Sequence, residues 1–253
     1  MVSSGVHIVI VPVLEDNYSY LICWGTSALV VDPGEAGPIM EALAQYNLQL
    51  EGILLTHHHN DHVGGSVALQ KMAGCPVWGP KDSFISSVTD PLPVGSYTIK
   101  NIQIQVLAVP GHTMDHIAYY LPKERALFSG DALFGAGTGR LFEGTVEQML
   151  RSLDHIQSLP QDTKVYCGHE YTVKNLEFAR LVEPGNVRVE ERLTLARQLR
   201  EQGKPTMPST LSLELRTNPF LRLYAEGIRQ ILELVEATDA EVFAELRRRR
   251  NQF

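Results

Sequence analysis

The seven residues from Thr56 to His62 hold a dense group of side chains that could bind metal ions. In an extended loop His57 and His59, two residues apart, point the same way, whereas Asp61 and His62 are adjacent and can diverge toward a second centre. Imidazole and carboxylate groups together suit zinc, iron and manganese. The segment therefore predicts a metal site that could serve two ions, with a solvated histidine-rich turn as the alternative. His58 should point away from it.

Three further candidate ligands follow apolar runs later in the chain, and a glycine directly precedes each of them. These candidates are His112 after Gly111, Asp131 after Gly130, and His169 after Gly168. A glycine lets the backbone turn sharply or approach an ion closely. Loops just beyond strand ends are also where α/β proteins place their sites. A single histidine after a strand is usually structural, but the recurrence at four strand ends indicates ligands.

The elements that position these residues are strands in the first two thirds of the chain. The apolar runs predict strands over residues 6–11, 18–24, 28–31, 52–55, 76–79 and 99–109, and helices over residues 38–46 and 63–73. From residue 175 onward the apolar spacing becomes helical, with helices predicted at 189–202, 221–236 and 239–250. We therefore predict an α/β catalytic domain at residues 1–169 and an all-helical domain at residues 170–253.

Composition excludes several classes of function. The chain has 253 residues, of which 44% are hydrophobic and 20% charged, and its net charge is −7. An acidic chain is a poor general binder of nucleic acid. No apolar run approaches the length of a bilayer span, and three cysteines without zinc-finger spacing favour a reducing compartment. We expect a cytoplasmic protein with no nucleic-acid or membrane partner.

The sequence resembles the metallo-β-lactamase superfamily through the H-x-H-x-D-H pattern at residues 57–62, and more narrowly it resembles the glyoxalase II (hydroxyacylglutathione hydrolase) family. The narrower resemblance rests on motifs spread over nearly the whole chain. They are Pro110-Gly111-His112-Thr113, Gly130-Asp131-Ala132-Leu133-Phe134, residues 139–145, Tyr166-Cys167-Gly168-His169-Glu170-Tyr171-Thr172, residues 182–186 and Thr217-Asn218-Pro219-Phe220.

This resemblance implies an αββα metallo-β-lactamase sandwich with a C-terminal helical domain and two divalent metal ions. His57, His59 and His112 would bind one ion, Asp61, His62 and His169 the other, and Asp131 would bridge them. Asp61 and Asp131 are thereby implied as catalytic residues, and a hydroxide between the ions as the nucleophile. Zinc is favoured as the metal, with iron or manganese as alternatives, because the spacing of the ligands does not choose among them.

The resemblance also implies that basic and aromatic residues bind the glutathione part of the substrate. These residues are Arg140, Phe142, Tyr171, Arg247 and Arg250. Arginine suits a carboxylate because its planar fork binds both oxygens. The run of arginines at residues 247–250 has an alternative interpretation as a solvated helix end. The chain departs from animal members at Phe142, where they have tyrosine, and at Arg140 and Arg250, where they have lysine.

The expected activity is hydrolysis of glutathione thioesters, chiefly S-D-lactoylglutathione, by a monomer. One alternative keeps the site and changes the substrate to a lactone, a β-lactam or a sulfur-transfer intermediate. Another is a metal-binding module without turnover. We further interpret Cys167 as an inert buried residue, Asp115 and His116 as neighbours that orient metal ligands, and residues 135–139 as backbone of the substrate cleft.

Overall fold

A computed structural model describes residues 5–253 of the chain, which divide into two compact units. The first unit takes the chain up to Ala108 together with Asp115–Gly130, and the second consists of Val109–Met114 and Asp131–Phe253. The two units interleave along the chain. The predicted domain boundary between residues 169 and 170 stays a prediction.

The first unit contains a mixed six-stranded sheet with its strands in chain order. The strands are β1 (His7–Val13), β2 (Asn17–Trp24), β3 (Ser27–Val31), β4 (Gln49–Leu54), β5 (Val77–Pro80) and β6 (Asp90–Leu92). β1 to β3 pair antiparallel and β3 to β6 pair parallel. Seven of the eight residues of β2 are buried. A strand that is buried on both faces appears in the sequence as a continuous apolar run, and this is why the strands of this region were predicted well.

A second set of strands in the first unit is antiparallel. It consists of β7 (Gly95–Ile99), β8 (Ile102–Ala108), β9 (Ile117–Leu121) and β10 (Ala126–Gly130). The prediction of one strand over residues 99–109 is wrong at its start. Lys100 and Asn101 adopt φ values of 50° and 70° and close a two-residue hairpin between β7 and β8. Two consecutive positive φ angles match the twist of a tight hairpin. The alternation of apolar residues continued through the turn and concealed it.

The two sets of strands in the first unit face each other through aromatic side chains. The rings of Tyr20 and Phe128 lie 5.5 Å apart. The buried Tyr119 hydroxyl donates a 2.7 Å hydrogen bond to the Leu55 carbonyl, at the end of the strand that leads to the histidine loop. Burial and the nearby Asp32 raise the pKa of Tyr119 well above its ordinary value. The hydroxyl therefore stays a donor and holds the end of β4.

Three helices accompany the first unit, namely α1 (Ala36–Gln45), α2 (Asn60–Val63) and α3 (Ser66–Ala73). In α1, Ile39 and Leu43 are buried, whereas Tyr46, the last residue of the predicted helix 38–46, follows α1 and is 48% exposed. The single helix predicted over residues 63–73 is interrupted. A Cβ on Gly65 would lie 2.7–2.8 Å from backbone atoms of Pro33, Glu35 and Ala36, and the Gly65 N–H donates to the Pro33 carbonyl. This close backbone approach ends α2 and begins α3.

The second unit is mostly helical. Its helices are α4 (Val146–Gln157), α5 (Thr172–Val182), α6 (Val187–Glu201), α7 (Leu211–Thr217), α8 (Glu226–Leu232) and α9 (Asp239–Gln252). It also contains the short hairpin β11 (Leu133–Phe134) and β12 (Gly137–Thr138), and the pair β13 (Lys164–Cys167) and β14 (Ser209–Thr210). The predicted α/β class with a C-terminal helical region is confirmed.

Two helical segments of the second unit differ from prediction. Residues 221–236 were predicted as one helix, but a single 3₁₀ turn at Pro219–Leu221 precedes α8, and Glu233 ends α8 in the left-handed region at φ 60°. The sequence analysis did not identify α4. Its N-terminus carries a capping box between Thr145 and Gln148, a local signal that could have revealed it.

Candidate metal centre

In the first unit, two histidines of the loop after β4 aim their ring nitrogens at one point. His57 Nε2 lies 3.1 Å from His59 Nδ1, and His57 is fully buried. Two ligands of a tetrahedral zinc ion with bonds of 2.0–2.1 Å lie about 3.3–3.4 Å apart. The separation of these nitrogens is therefore close to that of two ligands sharing an ion.

Asp32 sets the tautomers of two candidate ligands. Its Oδ2 accepts from the Thr56 hydroxyl at 2.6 Å and from His62 Nδ1 at 2.9 Å. Because the Thr56 hydroxyl donates to Asp32, it accepts from His57 Nδ1, which lies 3.0 Å away. Both imidazoles therefore carry their proton on Nδ1 and direct the lone pair of Nε2 outward. This is how outer partners usually orient histidine ligands.

Asp32 itself serves as a support and not as a ligand. Judged by distance alone, Asp32 lies close enough to His57 and His62 for the three side chains to bind one metal ion. Both of its oxygens, however, accept hydrogen bonds, since Oδ1 takes the Thr56 N–H at 2.8 Å. The sequence analysis did not identify this role. No spacing signal links residue 32 to the histidine loop.

Asp61 and His62 lie on α2. Asp61 stands in the first turn, where the helix dipole favours a carboxylate, and Asp61 Oδ2 is 3.6 Å from His62 Nε2. The two atoms can thus approach one ion together. His62 is buried, whereas the Asp61 side chain is 40% exposed. The structure therefore brings the four predicted ligands of the loop close together in the first unit.

In the second unit, Asp131 contacts two candidate imidazoles with a single oxygen. Asp131 Oδ2 lies 3.4 Å from His112 Nε2 and 3.3 Å from His169 Nε2, and all three residues are buried. His112 Nδ1 donates to the Arg140 carbonyl at 2.8 Å, so Nε2 is again the ligating atom. A side chain on Gly139 would overlap the Asp131 carbonyl and approach His112, so this position needs glycine.

The donor set fits a transition metal. Five imidazoles and two carboxylates suit zinc, iron or manganese, whereas magnesium and calcium prefer sites made of oxygen atoms. Four of the seven donors cluster in the first unit and three in the second, and the atoms in contact within each group are 3.1–3.6 Å apart. The arrangement within each unit is the one expected of ligands that share ions.

His58, Asp115 and His116 surround the ligands of the first unit. The His116 ring stacks on His57 with centroids 4.5 Å apart and an angle of 13°. His58 Nδ1 lies 3.0 Å from Asp115 Oδ1, so this carboxylate contacts His58. A side chain on Gly130 would approach Thr56 and His116 within 3 Å, so this glycine permits the close packing.

The second unit also contains a cluster of arginines. Arg247 is 7% exposed, donates from Nη1 to the Thr138 carbonyl at 2.8 Å, and lies 5.2 Å above the Phe220 ring. Its buried Nε has no hydrogen-bond partner in residues 5–253. Burial, together with the like charges of Arg250 and Arg140, lowers the pKa of Arg247 to about 9. A buried cation surrounded by like charges favours binding of an anion.

Arg250 is held by a side-chain amide. Its Nε donates to Asn175 Oδ1 at 3.0 Å, while Asn175 Nδ2 donates to the Gly135 carbonyl at 2.9 Å. Among residues 5–253, the two terminal nitrogens of Arg250 form no hydrogen bond, which leaves them for a ligand. Burial and Arg140 lower the pKa of Arg250, and Tyr171 opposes them. No pattern in the sequence indicated the role of Asn175.

The remaining two arginines of the run differ from Arg247 and Arg250. Arg248 and Arg249 both pair with Glu245 at 2.7 Å. The interpretation as a solvated helix end therefore fits these two, while the other two, three residues apart, share the inner face of α9.

Two aromatic residues flank the histidines of the second unit. Tyr171 stacks on His169 with centroids 4.7 Å apart and an angle of 4°. Phe142 contacts His112 edge-on at 5.2 Å and is 62% exposed. An exposed phenylalanine beside a candidate ligand offers an apolar surface to a bound molecule.

The hairpin β11–β12 is fixed by buried polar residues that sequence analysis also missed. Glu214 is fully buried, accepts from the Ala136 N–H at 2.8 Å and pairs with Arg192 at 2.5 Å. Asn218 Nδ2 donates to the Gly137 carbonyl at 3.0 Å. These bonds hold the segment that joins Asp131 to Arg140, which was predicted to form the cleft backbone.

The cysteines take no part in the centre. Burial raises the pKa of Cys23 to about 11 and that of Cys167 to about 12, so neither forms a thiolate near neutral pH. Cys167 lies in β13 as an inert residue, as predicted. Across residues 5–253, no helix combines the length and apolar character that crossing a membrane requires.

Fold and donor set together define the class of protein, the metallo-β-lactamase superfamily, whose family model matches residues 13–169. The model for the hydroxyacylglutathione hydrolase C-terminus matches residues 170–253. Within the superfamily, the chain belongs to the hydroxyacylglutathione hydrolase family.

Similar proteins cover nearly the whole chain. A hydroxyacylglutathione hydrolase of Methylococcus capsulatus is 46% identical over 96% of this chain and 97% of its own length. One of Methylobacillus flagellatus is also 46% identical, over 96% and 99%. A solved structure, TTHA1623 in a di-iron-bound form, is 30% identical with a TM-score of 0.60 and covers 85% of this chain and all of that one.

Proposed function

We propose that the protein is an enzyme that hydrolyses glutathione thioesters, chiefly S-D-lactoylglutathione, to D-lactate and glutathione. The observation that carries the proposal is the arginine cluster beside candidate ligands in the second unit. Arg247 is buried with like-charged neighbours, and Arg250 keeps two donors for a ligand. A remote carboxylate of the substrate would supply the missing negative charge. The names of the similar proteins and the C-terminal family model support the same substrate class.

We propose that the seven donors hold two divalent ions. His57, His59 and His112 would bind one ion and Asp61, His62 and His169 the other, with Asp131 shared between them. Zinc is the metal we favour, and iron and manganese suit the same donors. When bound, such ions supply Lewis-acid activation of a water molecule and of the thioester carbonyl.

The protein's own residues have separate tasks in this scheme. Asp131 and Asp61 place negative charge at the centre, and Asp32 keeps His57 and His62 in the ligating tautomer. Arg140, Arg247 and Arg250 bind the substrate carboxylate, while Phe142 and Tyr171 line the path beside His112 and His169. The departing thiol has an ordinary pKa of about 8.5, so a dedicated general acid is not needed.

We further propose that the chain acts as a cytoplasmic monomer without nucleic-acid or membrane partners. Residues 1–169 would form the catalytic domain and residues 170–253 the substrate-binding domain. The matched ranges of the two family models support this division.

Kinetic comparison of the metal-loaded enzyme on several substrates tests the function. We expect kcat/KM for S-D-lactoylglutathione to exceed that for a lactone, a β-lactam and a persulfide substrate by at least about a hundredfold. Equal or better turnover of any of these alternatives would overturn the assignment. Metal-loaded protein that hydrolyses no thioester would instead indicate a binding module.

A further inference from the structure

Asn17 contacts a candidate metal ligand from a distant part of the chain. It begins β2, pairs with Val13 at the end of the first hairpin and is 6% exposed. Its Nδ2 donates a 2.9 Å hydrogen bond to Asp61 Oδ2, across 44 residues of sequence, and lies 3.5 Å from the Asp61 carbonyl. The buried amide is therefore directed at the carboxylate and its backbone together.

Asp61 needs such support more than its neighbour His62. Its side chain is 40% exposed, whereas that of His62 is 1% exposed. It stands on a helix of only four residues. A half-exposed carboxylate can rotate into solvent, and fixing it costs conformational entropy when a metal binds. An outer partner that holds the carboxylate beforehand reduces that cost.

The oxygen that Asn17 holds is also the one that faces His62. Asp61 Oδ2 is 3.6 Å from His62 Nε2, the atom that the Asp32 contact leaves as a metal donor. On the other side, a side chain on Gly34 would overlap the Asp61 carbonyl. The backbone of Asp61 is thus fixed by Gly34, and its carboxylate is fixed by Asn17.

We propose that Asn17 is a positioning residue that holds Asp61 for the ion bound by Asp61 and His62. The inference rests on the proposed two-metal centre. A neutral amide suits this task because it donates to the carboxylate without adding charge. A lysine in its place would compete with the metal ion, and an aspartate would repel Asp61.

The test measures metal affinity, with Asn17→Ala as the variant. Metal-depleted protein is titrated with Zn²⁺ in competition with a chromophoric chelator, and with Co²⁺ while its visible spectrum is recorded. Outer partners of metal ligands typically contribute 10–100-fold in affinity. We expect one of two equivalents to bind about 10–100-fold more weakly and its Co²⁺ bands to change, while the other equivalent stays at the wild-type affinity.

Ser87→Ala is the matched control. The buried Ser87 shares a 2.7 Å hydrogen bond with Ser66 in the same unit and contacts none of the candidate ligands. The Ser87→Ala variant should lower the melting temperature without changing the affinity for either metal ion. If Asn17→Ala does not fold, Asn17→Ser replaces it, because the shorter side chain keeps polarity but does not reach Asp61. Unchanged affinities, or equal loss in the control, would overturn the proposal.

Turnover of the wild-type protein is measured separately. If it binds two ions but hydrolyses no glutathione thioester, the proposed function is wrong, and the metal titrations still decide the role of Asn17. If it hydrolyses the thioester and Asn17→Ala binds both ions normally, only the positioning role is wrong.

Discussion

At the level of single residues, the two aspartates proposed as catalytic have different surroundings. Asp131 is buried and contacts two imidazoles through one oxygen, whereas the Asp61 side chain is 40% exposed and places its Oδ2 3.6 Å from His62 Nε2. A buried carboxylate between two ligands has few alternative positions. Its removal should therefore disturb the metal content more than the loss of any outer partner.

We expect Asp131→Ala to lose metal and activity together. The loss of metal affinity should exceed the roughly 10–100-fold that follows removal of an outer partner. Elemental analysis and thioester hydrolysis measure the two effects. Asp131→Asn keeps the shape without the charge, so a variant with two ions per chain and full turnover would contradict a shared ligand at this position.

The arginines allow a sharper prediction. Arg250→Ala should raise KM for the glutathione thioester about ten- to a hundredfold with kcat nearly unchanged, because it contacts a remote carboxylate equally in the ground and transition states. A thioester lacking that carboxylate serves as the control substrate and should be unaffected.

Arg247→Ala should raise KM and also lower the melting temperature. Its Nη1 supports the Thr138 carbonyl, so its removal weakens the hairpin as well. Parallel loss of activity on both substrates in Arg250→Ala would favour a structural role for the helix end.

At the level of elements, α9 combines a binding face with a stabilising outer face. A capping box between Thr238 and Glu241 starts the helix, and Glu245 binds the two outer arginines. These contacts lower the pKa of Glu245 to about 2, chiefly through hydrogen bonds from Arg248 and Arg249. The ion pairs on the outer face thus stabilise α9, whose inner face carries Arg247 and Arg250.

The lowered pKa of Glu245 predicts a pH-dependent stability difference. A carboxyl whose folded pKa lies below its unfolded value of 4.5 stabilises the fold above that pH and loses its effect as the pH falls toward 2. Glu245 makes two largely exposed ion pairs, which are weak, so Glu245→Gln should lower the melting temperature by about 1–8 °C at pH 7. The difference should shrink below about pH 4.5.

Thermal melts of metal-depleted proteins at several pH values measure this effect. Glu236→Gln, which removes an exposed carboxylate without an arginine partner in the described residues, is the matched control. A difference that stays constant down to pH 3 would show that the ion pairs do not stabilise α9.

At the level of the whole molecule, metal binding should be linked to stability because the proposed ligands within each unit meet only when that unit is folded. They are distributed from residue 57 to residue 169. An ion present at a hundred times its dissociation constant stabilises the folded state by about 2.7 kcal/mol. We expect chelation to lower the melting temperature by about 5–10 °C per ion removed, as measured by calorimetry. Equal melting temperatures with and without chelator would argue against binding to the folded state.

The sequence alone determined most strands, the candidate ligands and the family. The spacing of apolar residues and the position of glycines are patterns that extend over only a few residues. They therefore identify the strand ends that precede His57, His112, Asp131 and His169. The same local signals failed at the turn of Lys100 and Asn101, where the apolar alternation continues through the turn. They also failed at the Gly64–Gly65 break, where backbone contacts with distant residues decide the conformation.

Only the tertiary structure decided which residues support the site. Asp32 reaches His62 over 30 residues, Asn17 reaches Asp61 over 44, and Arg247 reaches Thr138 over 109. The tertiary structure also showed that Arg247 and Arg250 have different surroundings from Arg248 and Arg249, although the four arginines are consecutive. Hydrogen bonds of this kind depend on how the backbone packs, and no periodicity in the sequence encodes the pairing of two side chains that meet only after folding.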